Sequence, residues 1–196
     1  VKLYTDAHGE APSPRRVRIF VAEKGLDVPY ELMKIHEDNR TEAFRKKNPY
    51  RTLPVLELDD GTCIAESMAI CRYLEALHPE PSLFGRTPLE QATIEMWTRR
   101  IELSLYLPID LSGATDFLSE PSTARLRESA GRALRFFDRQ LGERPFMAGD
   151  AYSVADAFAL SAIDFGLRHV GYALDPAWEN LHRWHEAVSA RPSASA

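Results

Sequence analysis

The residues whose types and spacing could do chemistry lie in one stretch, Asn48 to Glu75 (NPYRTLPVLELDDGTCIAESMAICRYLE). Glu66 and Ser67 open a helix-like run with Met68, Ala69, Tyr73 and Leu74 as expected inner positions. Ser67 is a good N-cap, and the turn behind it offers N–H groups and the positive end of the helix dipole. Such an end is a ready carboxylate site; the plain alternative is a capping serine beside a solvated glutamate. Leu53-Pro54 stands where a turn feeds a strand. Most X-Pro bonds are trans, but a cis bond there would turn the Leu53 N–H and C=O toward solvent.

These residues must be positioned by a small sheet. Val55, Leu56 and Leu58 suit a short strand, Asp60-Gly61 is a hairpin turn, and Thr62 to Ala65 returns as the second strand. Upstream, Lys2 to Thr5 reads as a first strand. Ser13-Pro14 reads as N-cap and first residue of a helix that Gly25 ends. Tyr30 to Ile35 reads as a strand, His36 to Arg40 as polar loop, and Thr41 to Lys47 as a short helix. The order β-α-β-α-β-β-α predicts a mixed sheet with helices on its faces. Residues 1–78 form this unit, and the proline-rich 79–88 stretch reads as a linker.

Residues 89–196 are helical in pattern throughout. Leu89 to Leu107 is expected as one long helix with Ile94, Trp97, Ile101 and Leu105 on a face, ended or kinked by Pro108. Ser122 to Leu141 carries the stripe Ala130, Ala133, Leu134, Phe137, Leu141, with five interleaved arginines (125, 127, 132, 135, 139) read as a solvated face. Ser153-Val-Ala-Asp156 is a capping motif before a nearly all-apolar, hence buried, helix, which makes Asp156 structural. A last helix spans Pro176 to Arg191 with Trp178, Leu181, Trp184 and Val188 inward.

Composition narrows the function classes. The chain of 196 residues is 44% hydrophobic and 27% charged with net charge −5, which suits a globular protein and argues against a nucleic-acid footprint. No apolar run is long enough to span a membrane, and Lys2, Asp6, Glu10, Arg15 and Arg16 speak against a secretory signal in the visible N-terminus. Cys63 and Cys71 are too few for a disulfide framework and are expected as reduced core residues, with the cytoplasm as the simplest compartment. The six histidines are scattered, and no metal is expected.

NPxxxLPVLELDDGT followed by AESxAIxRYLE closely resembles the glutathione-binding half of the cytosolic glutathione transferases. RVRIFVAEKGLDVPYE resembles that family's first helix and second strand, and AGDxxSxADA its buried C-terminal helix. The resemblance covers nearly the whole chain and is weakest from Leu105 to Thr123, where the family builds its second-substrate pocket. It implies a thioredoxin-like domain followed by an all-helical domain, glutathione as co-substrate, a small hydrophobic electrophile as second substrate, and a homodimer. It implies a cis Pro54, with the Leu53 backbone on the cysteinyl part of glutathione and Glu66-Ser67 on the γ-glutamyl end. A glutamate can hold the ammonium while Ser67 and the helix start hold the adjacent carboxylate. Arg51 and Thr52 fall where the family contacts the peptide backbone or glycine carboxylate, with His36 and Arg40 approaching the same end. Tyr106 and Asp110 fall on the electrophile pocket.

The family's catalytic hydroxyl is less plain. A thiol of pKa ~8.5 is mostly protonated at neutral pH, so the protein must stabilise the thiolate. Counted back from Arg16-Val17, the usual catalytic serine position is Ala11. APSPRRV resembles a fungal and bacterial subgroup with APNPRRV-like sequences. Ser13 is the first candidate for the catalytic group, the amides of Ser13 to Arg15 the second, and Tyr4 the third. The expected activity is glutathione transfer. The alternatives are a non-catalytic module of the same fold, which Ala11 favours, and a glutathione-dependent isomerase or reductase; the reductase form needs a cysteine near the first helix, and none is there.

Overall fold

A computed structural model describes residues 1–113 and 118–196. It divides into two units, Val1–Pro81 with Ser195–Ala196, and Ser82–Ala194. The first runs β1 (Lys2–Asp6), α1 (Pro12–Glu23), β2 (Tyr30–Met33), α2 (Glu42–Lys47), β3 (Val55–Glu57), β4 (Cys63–Ala65) and α3 (Ser67–Leu77). The sheet order is β2-β1-β3-β4, with β2 parallel to β1 and the other pairs antiparallel. Strand alternation sorts the residues. Leu3 opposite Leu56 is fully buried, and Tyr4 opposite Val55 joins Met33 and Phe44 in a separate cluster. Gly25, at φ 61, ends α1 while the Leu26 N–H reaches back to the Val21 carbonyl at 3.0 Å, a pairing of the Schellman type.

A buried ion pair fixes how β1 passes into α1. Arg18 donates through Nη1 to Asp6 Oδ1 at 2.7 Å and to Thr5 Oγ1 at 2.5 Å, and through Nη2 to the Gly9 carbonyl at 2.9 Å. Asp6 Oδ2 accepts from the N–H groups of Glu10 (2.7 Å) and Ala11 (3.1 Å). Gly9 sits at φ 72, a conformation that suits glycine. Lys24, also buried, donates at 2.6 Å to the carbonyls of His78 and Pro81, so the chain leaving α3 is tied to the end of α1.

The second unit holds α4 (Pro88–Ile101), α5 (Leu107–Gly113), α6 (Glu120–Leu141), α7 (Val154–Phe165) and α8 (Glu179–Ser189). Its hub is Asp156, fully buried. Its carboxylate accepts from the Met147 N–H (2.8 Å), Trp184 Nε1 (2.9 Å), and the N–H (3.0 Å) and hydroxyl (3.1 Å) of Ser153. Each such donor left unpaired in the interior would cost about 1–3 kcal/mol. Burial raises the Asp156 carboxyl above its usual range, although all four donors pull it back.

Several expectations are corrected. Pro108 does not end the helix: a π-helical turn at Glu102–Tyr106 intervenes and α5 continues, because a widened turn absorbs the hydrogen bond that proline cannot make. The inner face of α3 is Ile70, Cys71 and Leu74, while Met68 and Tyr73 are half-buried and Ala69 is exposed. With Ser67 buried as well, the inner residues fall at i, i+3, i+4 and i+7, one helix face that excludes Ala69. The five interleaved arginines of α6 are exposed as expected; Arg127 in addition donates to the Val170 carbonyl at 2.9 Å and lies 5.6 Å over the Tyr172 ring. The boundary between the two units, Pro81/Ser82, falls inside the proline-rich 79–88 stretch, where Leu83 and Phe84 are buried and the Leu83 carbonyl accepts from the Val154 N–H.

The Asp6–Arg18 pair has a definite pH signature. Burial by itself would raise the Asp6 carboxyl, but the Ala11 N–H, the Arg18 guanidinium and the Glu10 N–H outweigh it and hold the group below its usual value. A depressed carboxyl stabilises the fold above the unfolded-state value, near ~3.9, and loses that stabilisation as pH falls through the folded value. Asp6→Asn is therefore expected to cost about 3–5 kcal/mol at neutral pH and to flatten the acid limb. Urea midpoints measured from pH 7 down to pH ~3 check this; an unchanged acid limb would remove Asp6 from it.

Candidate functional site

Sheet topology brings the site residues to one end. Because β3 runs antiparallel to both β1 and β4, its start at Val55 lies beside the ends of both, pairing with Tyr4 and Ala65. Because β2 runs parallel to β1, its end lies there too, and the Ala7 N–H bonds the Met33 carbonyl. The turn before β3 (Arg51 to Pro54), the start of α3 (Glu66, Ser67), the β1–α1 loop leading to Ser13, and the segment after β2 (His36 to Arg40) all leave the sheet at this end.

Leu53–Pro54 is cis, and Leu53 lies just ahead of the β3 ladder. Ser67 is not the N-cap. Glu66 occupies that position at φ 68, with its carbonyl accepting the first helical bond from the Ile70 N–H at 3.0 Å. Ser67 is the first residue of α3 and is buried, while Glu66 is exposed. The N–H groups of Ser67, Met68 and Ala69 therefore have no carbonyl within the helix to bond, and they lie at the site end, directly after Glu66.

Ser13 is not an N-cap either. Ala11 holds that place and offers no side-chain bond; Pro12 is the first helical residue and Ser13 the second. Pro12 and Pro14 have no N–H, and the Arg15 N–H bonds the Ala11 carbonyl at 3.1 Å, so of the expected Ser13 to Arg15 amides Pro14 supplies none and that of Arg15 is engaged. Ser13 Oγ accepts from the buried Arg16 guanidinium at 3.4 Å. Tyr4 is engaged elsewhere: its hydroxyl donates to Glu57 at 2.6 Å, and its ring meets Phe44 edge-on.

Sequence reasoning missed the two asparagines that shape the other side. Asn39 is buried; its Oδ1 accepts from the His36 N–H at 2.6 Å and its Nδ2 donates to the Arg51 carbonyl at 2.7 Å. Asn48 is buried too, donating to the Thr52 carbonyl (2.9 Å) and hydroxyl (3.0 Å) while accepting from the Tyr50 N–H (3.1 Å). His36 (φ 72), Arg51 (φ 58) and Glu66 (φ 68) are the non-glycine residues with positive φ among the described residues. All three lie at this end, and such conformations cost about 1–3 kcal/mol each and gather at functional sites. Asparagine flanking a turn was the one sequence signal that could have found the braces.

Tyr106 and Asp110 belong to the second unit. Tyr106 ends the π-helical turn with its ring edge-on to Phe158, and Asp110 lies on α5, where desolvation raises its carboxyl. Residues 114–117, within the Leu105–Thr123 stretch expected to form the second-substrate pocket, lie outside the described residues. Among the described residues no group of His, Cys, Asp and Glu could hold a metal ion, and no helix is long and apolar enough to cross a membrane.

The chain is similar to known proteins over most of its length. The model of the glutathione S-transferase N-terminal domain matches residues 11–82, and that of the C-terminal domain matches residues 103–192. Glutathione S-transferase 2 of Saccharomyces cerevisiae is 36% identical over 195 residues, covering 93% of this chain and 83% of the relative. Maleylacetoacetate isomerase of Pseudomonas aeruginosa is 27% identical over 202 residues, covering 98% and 93%. The crystal structure of Gtt2 from Saccharomyces cerevisiae superposes with a TM-score of 0.91 at 34% identity, covering 100% of this chain and 99% of that one. With its four-stranded mixed sheet, cis Leu53–Pro54 and following helical unit, the chain belongs to the glutathione S-transferase family and has that family's thioredoxin-like and all-helical domains.

Proposed function

We propose that the protein binds glutathione at the end of the first unit's sheet, stabilises its thiolate beside Ser13, and conjugates it to a small hydrophobic electrophile. The observation that carries this is the head of α3: an exposed Glu66 with positive φ directly precedes three helix-start N–H groups, at the sheet end that also holds Leu53 and cis Pro54. An α-amino acid presents an ammonium and a carboxylate side by side, which is what this pair of features complements. In this reading Leu53 meets the cysteinyl backbone, and Arg51 and Thr52 serve the glycyl end. Tyr106 and Asp110 serve the electrophile. Likeness to Gtt2 supports the fungal and bacterial subgroup with APNPRRV-like first helices.

Ser13 supplies the hydroxyl. Its oxygen accepts from Arg16, and a hydroxyl can accept and donate at once, so its proton can go to the sulfur. The second reading, a non-catalytic module, draws on Ala11, which puts no hydroxyl at the cap of α1. Calorimetry with glutathione followed by turnover of a generic aryl halide separates the two: binding without turnover across an electrophile panel would favour the module.

The assembly belonging to this reading is a cytoplasmic homodimer with α3 and α4 at its interface. Sedimentation at micromolar concentration is expected to show the dimer, and a monomer alone would end that part of the reading.

Two substitutions test the residue roles. Glu66→Ala removes a charged hydrogen bond of about 1.5–3 kcal/mol and is expected to weaken glutathione by more than tenfold while the fold survives, since Glu66 is exposed. An unchanged dissociation constant would sink the assignment. Ser13→Ala is expected to leave binding largely intact and to raise the pKa of bound glutathione by less than one unit, the worth of one hydrogen bond of about 1 kcal/mol. Ultraviolet titration of the bound thiolate reads this directly, and no shift would move the role to backbone amides, a bound water or a residue on the long helix.

A further inference from the structure

We infer that Asn39 is the positioning residue for the glycyl carboxylate of glutathione, and that it acts by holding His36 and Arg51 rather than by touching the ligand. The inference rests on the glutathione reading above. Sheet order gives the tripeptide its direction. Glu66 follows β4 at one edge, Leu53 precedes β3 in the middle, and His36 follows β2 at the other edge. Neighbouring strands lie about 4.8 Å apart, and an extended residue spans about 3.5 Å. A tripeptide with its γ-glutamyl end at Glu66 and its cysteinyl backbone at Leu53 therefore points its glycine past β1 toward the β2 side, and the two spacings to β2, about 9.6 Å, leave the last part to the long side chains that follow β2.

That side is built around Asn39. Both functional ends of its side chain are used within the protein, the Oδ1 by the His36 N–H and the Nδ2 by the Arg51 carbonyl. The two residues it ties are both left-handed, and they are 15 positions apart in the chain (36 and 51). Arg40 Nη2 reaches His36 Nδ1 at 3.4 Å. One buried amide thus holds the backbones of His36 and Arg51, and the His36 imidazole meets the Arg40 guanidinium. An imidazole and a guanidinium in contact, with the backbone of a second arginine tied beside them, suit a carboxylate. A left-handed residue with no brace relaxes to a commoner conformation and swings its side chain away. The side chains of His36 and Arg51 therefore depend on Asn39 for direction.

The test compares glutathione with γ-glutamylcysteine, which lacks the glycine, by calorimetry on the wild-type chain and on Asn39→Ala. The variant is expected to weaken glutathione by about tenfold, as for a lost charged hydrogen bond, while γ-glutamylcysteine stays within about twofold. With an aryl halide, KM for glutathione should rise and kcat at saturation should hold. If Asn39→Ala does not fold, Asn39→Asp keeps the shape and the acceptor for His36, loses the donor to Arg51, and is expected to show the same selective loss. Equal weakening of both peptides, or a fall in kcat with KM unchanged, would make Asn39 a structural brace only and overturn the inference. A wild-type chain that binds both peptides equally would overturn it as well, with the γ-glutamyl site intact. Failure of the wild type to bind either peptide would instead bring down the glutathione reading, and this inference with it.

Discussion

The first unit depends on a charge pair that its own interior makes expensive. Asp6 and Arg18 are both buried, and removing two charges from water costs several kcal/mol per ion unless every donor and acceptor finds a partner. The surrounding backbone meets that demand. Asp6 takes two amides of the β1–α1 loop, and Arg18 takes the Gly9 carbonyl and the Thr5 hydroxyl. The loop cannot be drawn elsewhere without stranding one of these groups. The first turn of α1, and Ser13 within it, is placed as a consequence.

The helical unit solves a similar problem with the opposite electrostatic result. Asp156 also collects backbone and side-chain donors at a chain crossing, linking the 147 loop, the cap of α7 and α8. Its donors are neutral, however, and offset the desolvation only in part, so its carboxyl is pushed up where that of Asp6 is held down. Asn39 and Asn48 extend the pattern without charge. A neutral amide can donate and accept at once, so it can join two strained segments that a carboxylate would hold from one side only.

The sequence showed the order of elements, because strands and helices here follow side-chain periodicity, and it showed the α6 stripe and the capping motif at Ser153 for the same reason. Helix starts were less legible. Ser13 and Ser67 are good caps by type, yet Ala11 and Glu66 hold those places. Pro12 fits the first helical position as well as Pro14 does, and a left-handed Glu66 is a tertiary choice that no local preference announces. Glu66, Leu53 and Pro54 could be named from a motif. Asn39 could not, because its role appears only when residues 36 and 51 meet across the end of the sheet. The Asp6–Arg18 pair was hidden in the same way: strand patterning expects an apolar residue near Asp6, and a charge inside is readable only with its partner in view.

The two readings of the chain differ in what they ask of α1. A module that only holds glutathione needs the head of α3 and the Leu53 backbone. Catalysis also needs stabilisation of a thiolate, and the first turn of α1 is poor in the usual means, with prolines at 12 and 14 removing amides and alanine at 11 supplying no hydroxyl. What it retains is a hydroxyl at Ser13, the helix dipole and the buried Arg16 guanidinium. A hydrogen bond of about 1 kcal/mol and a dipole contribution of up to about 1 kcal/mol sum to roughly 1.5 pKa units. Applied to a thiol near ~8.5, that brings ionisation to about pH 7, where half the bound thiol is thiolate. No row of amides is then required, and the substitution at residue 11 does not by itself argue against turnover.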